Sequence, residues 1–180
     1  MKTYAWVIVG VIVLVIGGII WKNFSGPSAS DSAVSTSGSS NNVQPSTGSA
    51  TTAPDFSLTS LTGTTIHLAD YRGKKPVILD FWATWCPNCR RDMPRLNELY
   101  NKYKDKVEVI GVDLQEDKGT VSDFITSRGI NFPIVIDQGD VANQYSARYT
   151  NTHVLVKKDG TVLQVIPGDI DENVFQSLLL

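Results

Sequence analysis

Sulfur and imidazole groups are scarce in this sequence. The 180-residue chain contains two cysteines, two methionines and two histidines. A structural zinc site takes about four ligands from Cys, His or carboxylate side chains, and His67 and His153 have no ligand spacing to each other. Apart from its cysteine pair the chain has few soft donors for a metal centre. The sequence therefore predicts no metal and no organic cofactor.

An excess of positive charge is also absent. Lys and Arg number 16 against 18 Asp and Glu, which gives a net charge of −2. Nucleic-acid binding needs a basic patch that neutralises phosphates, and no such run of residues occurs in the chain. Nucleic-acid binding is set aside on this ground.

Charged residues are missing from residues 5–21, which are apolar or glycine without exception and lie between Lys2 and Lys22. A helix of this length extends roughly 25 Å, enough to cross a bilayer. We predict a single transmembrane anchor within residues 1–24, with the rest of the chain on the extracytoplasmic side of the cell membrane, where disulfides persist. A cleaved signal peptide is the alternative, but its apolar region is typically about 7–15 residues long.

Aromatic residues are absent from residues 25–53, where Ser, Thr, Gly, Asn, Ala and Pro dominate and Asp31 is the only charge. This composition buries too little apolar surface to offset the entropy lost on ordering. We predict a flexible tether with an end-to-end distance of about 30 Å. Residues 54–180 then form one globular domain.

Apolar runs and amphipathic segments alternate along that domain. Continuous apolar runs predict buried strands at residues 77–83, 107–114 and 132–137. Helical patterns cover residues 89–103 (with a kink at Pro94), 120–127, 141–148 and 169–180, and a hairpin covers residues 152–166. The alternation predicts an α/β fold with helices on both faces of the sheet.

Both cysteines lie in the segment WATWCPNCRRDMP, as Cys86 and Cys89. A strand that ends near residue 83 places Cys86 at a helix N-terminus, where the dipole and unpaired N–H groups favour a thiolate. Pro87 suits the first helical position, and Cys89 follows one turn later, where it can resolve a mixed disulfide. The spacing favours a redox couple over two alternatives. A structural staple would stabilise little across so short a loop, and half of a zinc site lacks its other ligands.

A family resemblance rests on the run PDFSLTSLTGTTIHLADYRGKKPVILDFWATWCPNCRRDMPRL and on VLVKKDGTVLQVIPG further along. Both resemble the membrane-anchored thioredoxin-fold proteins of the TlpA/ResA type, and WATWCxxC is the most specific part. The resemblance implies a thioredoxin-like fold with a central mixed β-sheet. It also implies an extracytoplasmic thiol–disulfide oxidoreductase, a reductase such as those of cytochrome c maturation. Cys86 would be the attacking thiol and Cys89 the resolving thiol.

Partners follow from the same resemblance. The substrates would be exported proteins with thiols or disulfides. Because the chain has no second redox site, a membrane thiol–disulfide carrier would have to renew the dithiol.

Three further residues are candidates for supporting roles. Asp80 matches the buried acid of thioredoxins, and either accepts the proton of Cys89 through water or is a hydrogen-bonded structural acid. Asp92 matches a position where the family often has a functional Glu, and either tunes the thiols or is an inert surface acid. Trp85 is expected at the rim of the site. The arginines after Cys89 would lower the thiol pKa values and the two acids would raise them, so the direction of electron flow stays open.

One position departs from the family pattern. The cis-proline that precedes the family's hairpin aligns with Asn151. A cis bond before a non-proline residue costs roughly 3–4 kcal/mol, so we predict a trans or strained peptide, altered substrate docking, and Asn151 or His153 close to Cys86. The alternative for His153 is an ordinary strand residue.

Two other functions stay open at this point. The missing proline, which excludes metal in relatives, leaves room for a thioredoxin-fold binding or metal-holding module. A thiol peroxidase is a weaker alternative, because the pattern P-x-x-x-[TS]-x-x-C is absent and Pro76 lies ten residues before Cys86.

Overall fold

The computed structural model describes residues 51–180. The predicted anchor, and the predicted tether except residues 51–53, lie outside this range. Those last tether residues belong to the folded domain: Thr52 forms a β-bridge with Thr161, and the N–H of the buried Ala53 donates to the carbonyl of Gly160 at 2.9 Å. Within residues 51–180, none of the helices combines the length and the apolar character needed to cross a membrane.

The strands of the described region form a small hairpin and a central sheet. In chain order they are β1 (Ser57–Thr59), β2 (Thr65–His67), β3 (Val77–Trp82), β4 (Glu108–Leu114), β5 (Ile134–Asp137), β6 (Thr152–Val156) and β7 (Val162–Pro167). The sheet has the order β5-β4-β3-β6-β7. β3, β4 and β5 are parallel, whereas β6 and β7 are antiparallel to their neighbours. The predicted α/β architecture with a mixed sheet is confirmed.

Helices cover both faces of this sheet, so every residue of β3 is buried. They are a 3₁₀ helix (Leu68–Tyr71), α1 (Pro87–Tyr103), α2 (Lys118–Arg128), α3 (Asp140–Gln144) and α4 (Glu172–Ser177). On one face, Ile78 and Trp82 pack with apolar residues of α1, α2 and α4. On the other face, Leu79 and Phe81 pack with α3 and the segment before β3. A continuous apolar strand is what burial on two faces requires.

The sequence prediction missed the β1–β2 hairpin and overestimated two helices. The hairpin strands are only three residues long, and most of their side chains are exposed, so they carry no strand-like apolar pattern. The helix predicted for residues 141–148 is Asp140–Gln144, and Ser146 beyond it has a positive φ of 54°. The C-terminal helix is Glu172–Ser177, shorter than residues 169–180.

Helix α1 continues through Pro94, where a kink was predicted. Because proline has no N–H, the carbonyl of Arg90 loses its helical donor. Arg128 of α2 replaces that donor, with Nη1 at 3.0 Å from the Arg90 oxygen. Gly129 ends α2 as predicted, with a φ of 63°.

Candidate active site

The turn from β3 into α1 carries the cysteine pair. β3 ends at Trp82, the N–H of Cys86 donates to the carbonyl of Ala83 at 3.2 Å, and Pro87 opens the helix. Cys86 is the N-cap, with extended backbone, and its Sγ accepts the N–H of Cys89 at 3.1 Å. The predicted place of Cys86 at a helix N-terminus, followed by Pro87 at the first helical position, is confirmed.

The two cysteines are joined in a disulfide whose Cα atoms lie 5.3 Å apart. Both residues are buried, Cys86 to 4% and Cys89 to 1% exposure. Trp85, inside the turn and just before Cys86, is 64% exposed, as expected of a rim residue, whereas Trp82 is buried and packs against Phe124 of α2. Both cysteines are therefore buried in the oxidised form, and the exposed indole of Trp85 directly precedes Cys86 in the chain.

Asp80 lies on β3 beneath this turn and is buried, as predicted. It is paired in register with His153 of β6, and the imidazole Nε2 lies 3.3 Å from Asp80 Oδ1. Burial raises the pKa of Asp80, and the nearby His153 opposes this rise. His153 is thus a strand residue, the simpler prediction, but one that contacts the buried acid. Its Nδ1 has no hydrogen-bond partner within the described part of the chain.

Asn151 adopts a left-handed backbone conformation with a φ of 59°. No peptide bond in residues 51–180 is cis, so the predicted trans bond before Asn151 is confirmed. Asn is among the few residues that tolerate this conformation. Its carbonyl accepts the N–H of Gly168 at 2.7 Å, which ties the loop before β6 to the end of β7.

The side-chain amide of Asn151 joins two carboxylates. Its Nδ2 lies 3.2 Å from Asp92 Oδ2 of α1 and 3.2 Å from Asp169 Oδ1, which follows β7. Arg91 reaches the same two acids, with Nε at 2.9 Å from Asp92 and Nη2 at 3.0 Å from Asp169. The sequence offered no signal for Arg91 and Asp169 as partners, because they lie far apart along the chain.

Asp92 is not the exposed surface acid that the sequence allowed, since its side chain is only 19% exposed. Burial, and then the hydrogen bond to Asp169, raise the pKa of Asp92, while Arg91 lowers it. The pKa of Asp169 is lowered, first by its bond to Asp92 and also by Asn151 and Arg91. Of the two carboxyl groups, Asp92 is therefore the one that takes up a proton first as the pH falls.

A narrow cleft connects these groups. Its volume of about 20 Å³ suffices for one water molecule. Its lining combines polar and apolar side chains: Asp80, Asp92, Arg95, Asn151, His153, Asp169, Met93, Leu96 and Ile170. The sulfurs do not line it, but the acids predicted to act on the thiols face one common cleft beside α1. Across residues 51–180, no three His, Cys, Asp or Glu side chains are grouped to hold a metal.

Comparison with known proteins places the chain in a family. The AhpC/TSA family model matches residues 50–165. The thiol-disulfide oxidoreductase ResA of Geobacillus kaustophilus is 49% identical over 119 residues, which cover 65% of this chain and 68% of that protein. The chain belongs to the ResA-type thiol–disulfide oxidoreductases. A second ResA, from Halalkalibacterium halodurans, is 38% identical over 129 residues, 71% of this chain and 73% of its own.

Solved structures agree with this membership. A thiol:disulfide interchange protein DsbE from Chlorobium tepidum is 30% identical, with a TM-score of 0.65 over 72% of this chain and 94% of its own. StoA from Bacillus subtilis is 25% identical, with a TM-score of 0.62 over 71% and 98%. The fold is thioredoxin-like and the chain is an enzyme of the ResA type, with Cys86 and Cys89 as its CxxC pair.

Proposed function

We propose that this enzyme reduces disulfides of exported proteins on the extracytoplasmic side of the membrane. The role of Cys86 as the attacking thiol rests on its position. It caps a helix N-terminus, its Sγ accepts a backbone N–H, and an exposed Trp85 stands beside it. A sulfur so placed is stabilised as a thiolate, and the exposed Trp85 before it offers a contact surface for another protein.

The reaction consists of two thiol–disulfide exchanges. The Cys86 thiolate attacks one sulfur of the substrate disulfide, a Cys86–substrate bond forms, and the other substrate sulfur leaves as a thiolate. Cys89, deprotonated, then attacks Cys86 Sγ and releases the second substrate sulfur. Two electrons pass from the dithiol to the substrate, and the Cys86–Cys89 disulfide remains. A thiol carrier in the membrane returns the two electrons.

Asp80 is proposed to accept the proton of Cys89. It is buried, its pKa is raised by that burial, and it opens onto the water-sized cleft beside α1. A carboxylate with a raised pKa is a better base near neutral pH than an ordinary one. The contact with His153 opposes this rise in the pKa of Asp80 and so favours the ionised form that a proton acceptor requires.

The reductive direction is supported by the charges around the motif. Arg91, the second residue after Cys89, is bound to Asp92 and Asp169 rather than to a sulfur. Asp92 adds a carboxyl group one turn after Cys89, and negative charge there opposes thiolate formation. A less stabilised thiolate makes the dithiol a stronger reductant.

The location and pathway belong to the proposal as well. The apolar residues 5–21 would anchor the chain, and residues 25–50 would give the domain reach above the membrane. Cytochrome c maturation is the pathway that the family resemblance suggests. In that pathway the enzyme would convert a disulfide of an exported protein into two thiols.

The test compares wild type with Cys86→Ser and Cys89→Ser in turnover of a disulfide-bonded peptide with dithiothreitol as the electron source. We expect turnover by the wild type only. Equal turnover by Cys86→Ser and the wild type would exclude Cys86 as the attacking thiol. Two further arms address the other functions: consumption of hydrogen peroxide that needs Cys86 would favour a peroxidase, and one tightly bound zinc per reduced chain would favour a metal-holding module.

A further inference from the structure

Thr84, in the turn that leads into Cys86, is held by a carboxylate that follows the neighbouring strand β4. Glu116 follows the end of β4, and its two oxygens accept from two donors of Thr84. The Thr84 N–H lies 2.5 Å from Glu116 Oε2, and Thr84 Oγ1 lies 2.5 Å from Oε1. Charge-assisted bonds of this two-pronged kind are among the strongest and most directional in proteins.

These bonds act on the part of the chain that sets the position of the attacking sulfur. The turn is closed by the N–H of Cys86 on the Ala83 carbonyl, and Thr84 is its first central residue. The Glu116 carboxylate therefore fixes the turn from outside while the backbone bond closes it from within. Cys86 follows directly as the N-cap of α1.

Asp113 supports Glu116 from below. It is fully buried on β4 opposite Trp82, and its Oδ1 accepts the N–H of Glu116 at 3.0 Å. Its Oδ2 has no partner among residues 51–180, which suits a protonated acid better than an ion. Burial first, and then the Glu116 carboxylate, raise the pKa of Asp113 to about 8. Near neutral pH Asp113 thus keeps its proton and adds no second negative charge beside the Glu116 carboxylate that binds Thr84.

We propose that Glu116 is a positioning residue for the thiol–disulfide exchange: through Thr84 it holds Cys86 at the helix N-terminus in the orientation that favours its thiolate. Glu116 does not touch the substrate. The inference deepens the proposed function and rests on Cys86 as the attacking thiol.

Two effects of Glu116 oppose each other, and variants can separate them. Its negative charge alone would disfavour a nearby thiolate, so removing the charge alone would make Cys86 more reactive. Its hold on Thr84 keeps Cys86 where the helix N–H groups favour the thiolate, so losing the hold would make Cys86 less reactive. Thr84→Val removes one donor without changing any charge, and Thr84→Ser keeps that donor.

The experiment measures alkylation of Cys86 by iodoacetamide in the fully reduced protein between pH 5 and 10, with the modified cysteine identified by peptide mass spectrometry. We expect Thr84→Val and Glu116→Gln each to slow alkylation at pH 7 by about threefold or more and to move the pH midpoint upward. Thr84→Ser should restore the wild-type rate. The double variant should be little slower than Glu116→Gln, because both changes break one interaction.

Asp123→Asn is the matched control, since Asp123 is an exposed acid of α2 with no recorded side-chain partner within the described chain. This variant removes one negative charge further along the chain than Glu116, and the rate of Cys86 alkylation should stay unchanged. A wild-type rate in Thr84→Val, or faster alkylation in Glu116→Gln, would overturn the proposal. Alkylation needs no disulfide substrate, so it tests the role of Glu116 separately from turnover. If Thr84→Val slows alkylation as expected but the wild type turns over no disulfide substrate, only the proposed function is contradicted.

Discussion

Two pairs of acids flank the cysteine turn, and they differ in what surrounds them. On the β6–β7 side, Asp92 and Asp169 share Arg91 and the Asn151 amide, and Asp169 is half exposed. On the β4 side, Asp113 is fully buried beside Glu116, and the residues described offer this pair no salt bridge.

Carboxyl groups can therefore have different roles on the two sides of the cysteine turn, depending on their partners. The outer pair, Asp92 and Asp169, has a cation and an amide to spread its charge, so it can change protonation without disturbing the fold. The inner pair, Asp113 and Glu116, has no cation to spread its charge: Glu116 has only the two Thr84 donors, and the raised pKa of Asp113 favours its protonated form. We therefore expect chemistry to depend on the outer side and conformation on the inner side.

The largest effect is expected for Asp80, which opens onto the cleft of the outer side. Asp80→Asn removes the proposed proton acceptor, so release of the mixed disulfide by Cys89 should slow by at least about tenfold at pH 7. Stopped-flow measurement of thiol release checks this, with Asp123→Asn as the control for loss of one charge. An unchanged rate and pH profile would leave Asp80 a structural acid.

The inner pair should make the free energy of unfolding depend on pH. The pKa of Asp113 rises from 3.8 unfolded to about 8 folded, so folding takes up a proton in this window and stability falls as pH rises from about 4 to about 8. We expect the oxidised wild type to lose about 1–2 kcal/mol between pH 5 and 8, and Asp113→Asn to lose clearly less. Urea unfolding of both at several pH values measures the slopes. Equal slopes would show that Asp113 keeps no proton in the fold.

Asn151 offers a sharper test of the outer pair. Asn151→Asp replaces an amide donor with a third carboxylate beside Asp92 and Asp169, and should destabilise the oxidised domain by about 1 kcal/mol at pH 7. Asn151→Gly, the matched control, relieves the left-handed backbone while losing the amide, and should cost only a few tenths of a kcal/mol. Equal losses in urea unfolding would mean that the amide contacts contribute little and that the backbone conformation matters most.

The smallest effect is expected at Asp169. Asp169→Asn removes the carboxylate that helps to raise the pKa of Asp92, so the pKa of Asp92 should fall. Carboxyl carbon NMR titration of Asp92 measures this directly in the oxidised protein. A pKa of Asp92 that stays or rises would show that burial alone governs this acid.

The sequence was informative where local rules decide the structure. The buried strand at residues 77–82, the helix start at Cys86 and Pro87, and the end of α2 at Gly129 follow from apolar runs, capping and left-handed glycine. These features depend on neighbours within a few residues. The strand and helix order, and hence the fold class, could be predicted from them.

The supporting contacts could not be predicted, because they join distant parts of the chain. Asp92 meets Asp169, and Thr84 meets Glu116 across 32 residues. His153 meets Asp80 only because β6 pairs with β3 in one register. A shift by one residue would turn His153 to the other face of the sheet. Register and partial burial, not residue type, decide these roles.

The role of Cys86 as the attacking thiol is tested most directly by trapping the mixed disulfide between Cys86 and a substrate. Reduced Cys89→Ser is incubated with a disulfide-bonded peptide, and the adduct is located by peptide mass spectrometry. We expect a stable adduct of one peptide sulfur with Cys86, and none in Cys86→Ser. A Cys89→Ser protein that forms no adduct while the wild type still reduces the peptide would contradict Cys86 as the attacking thiol.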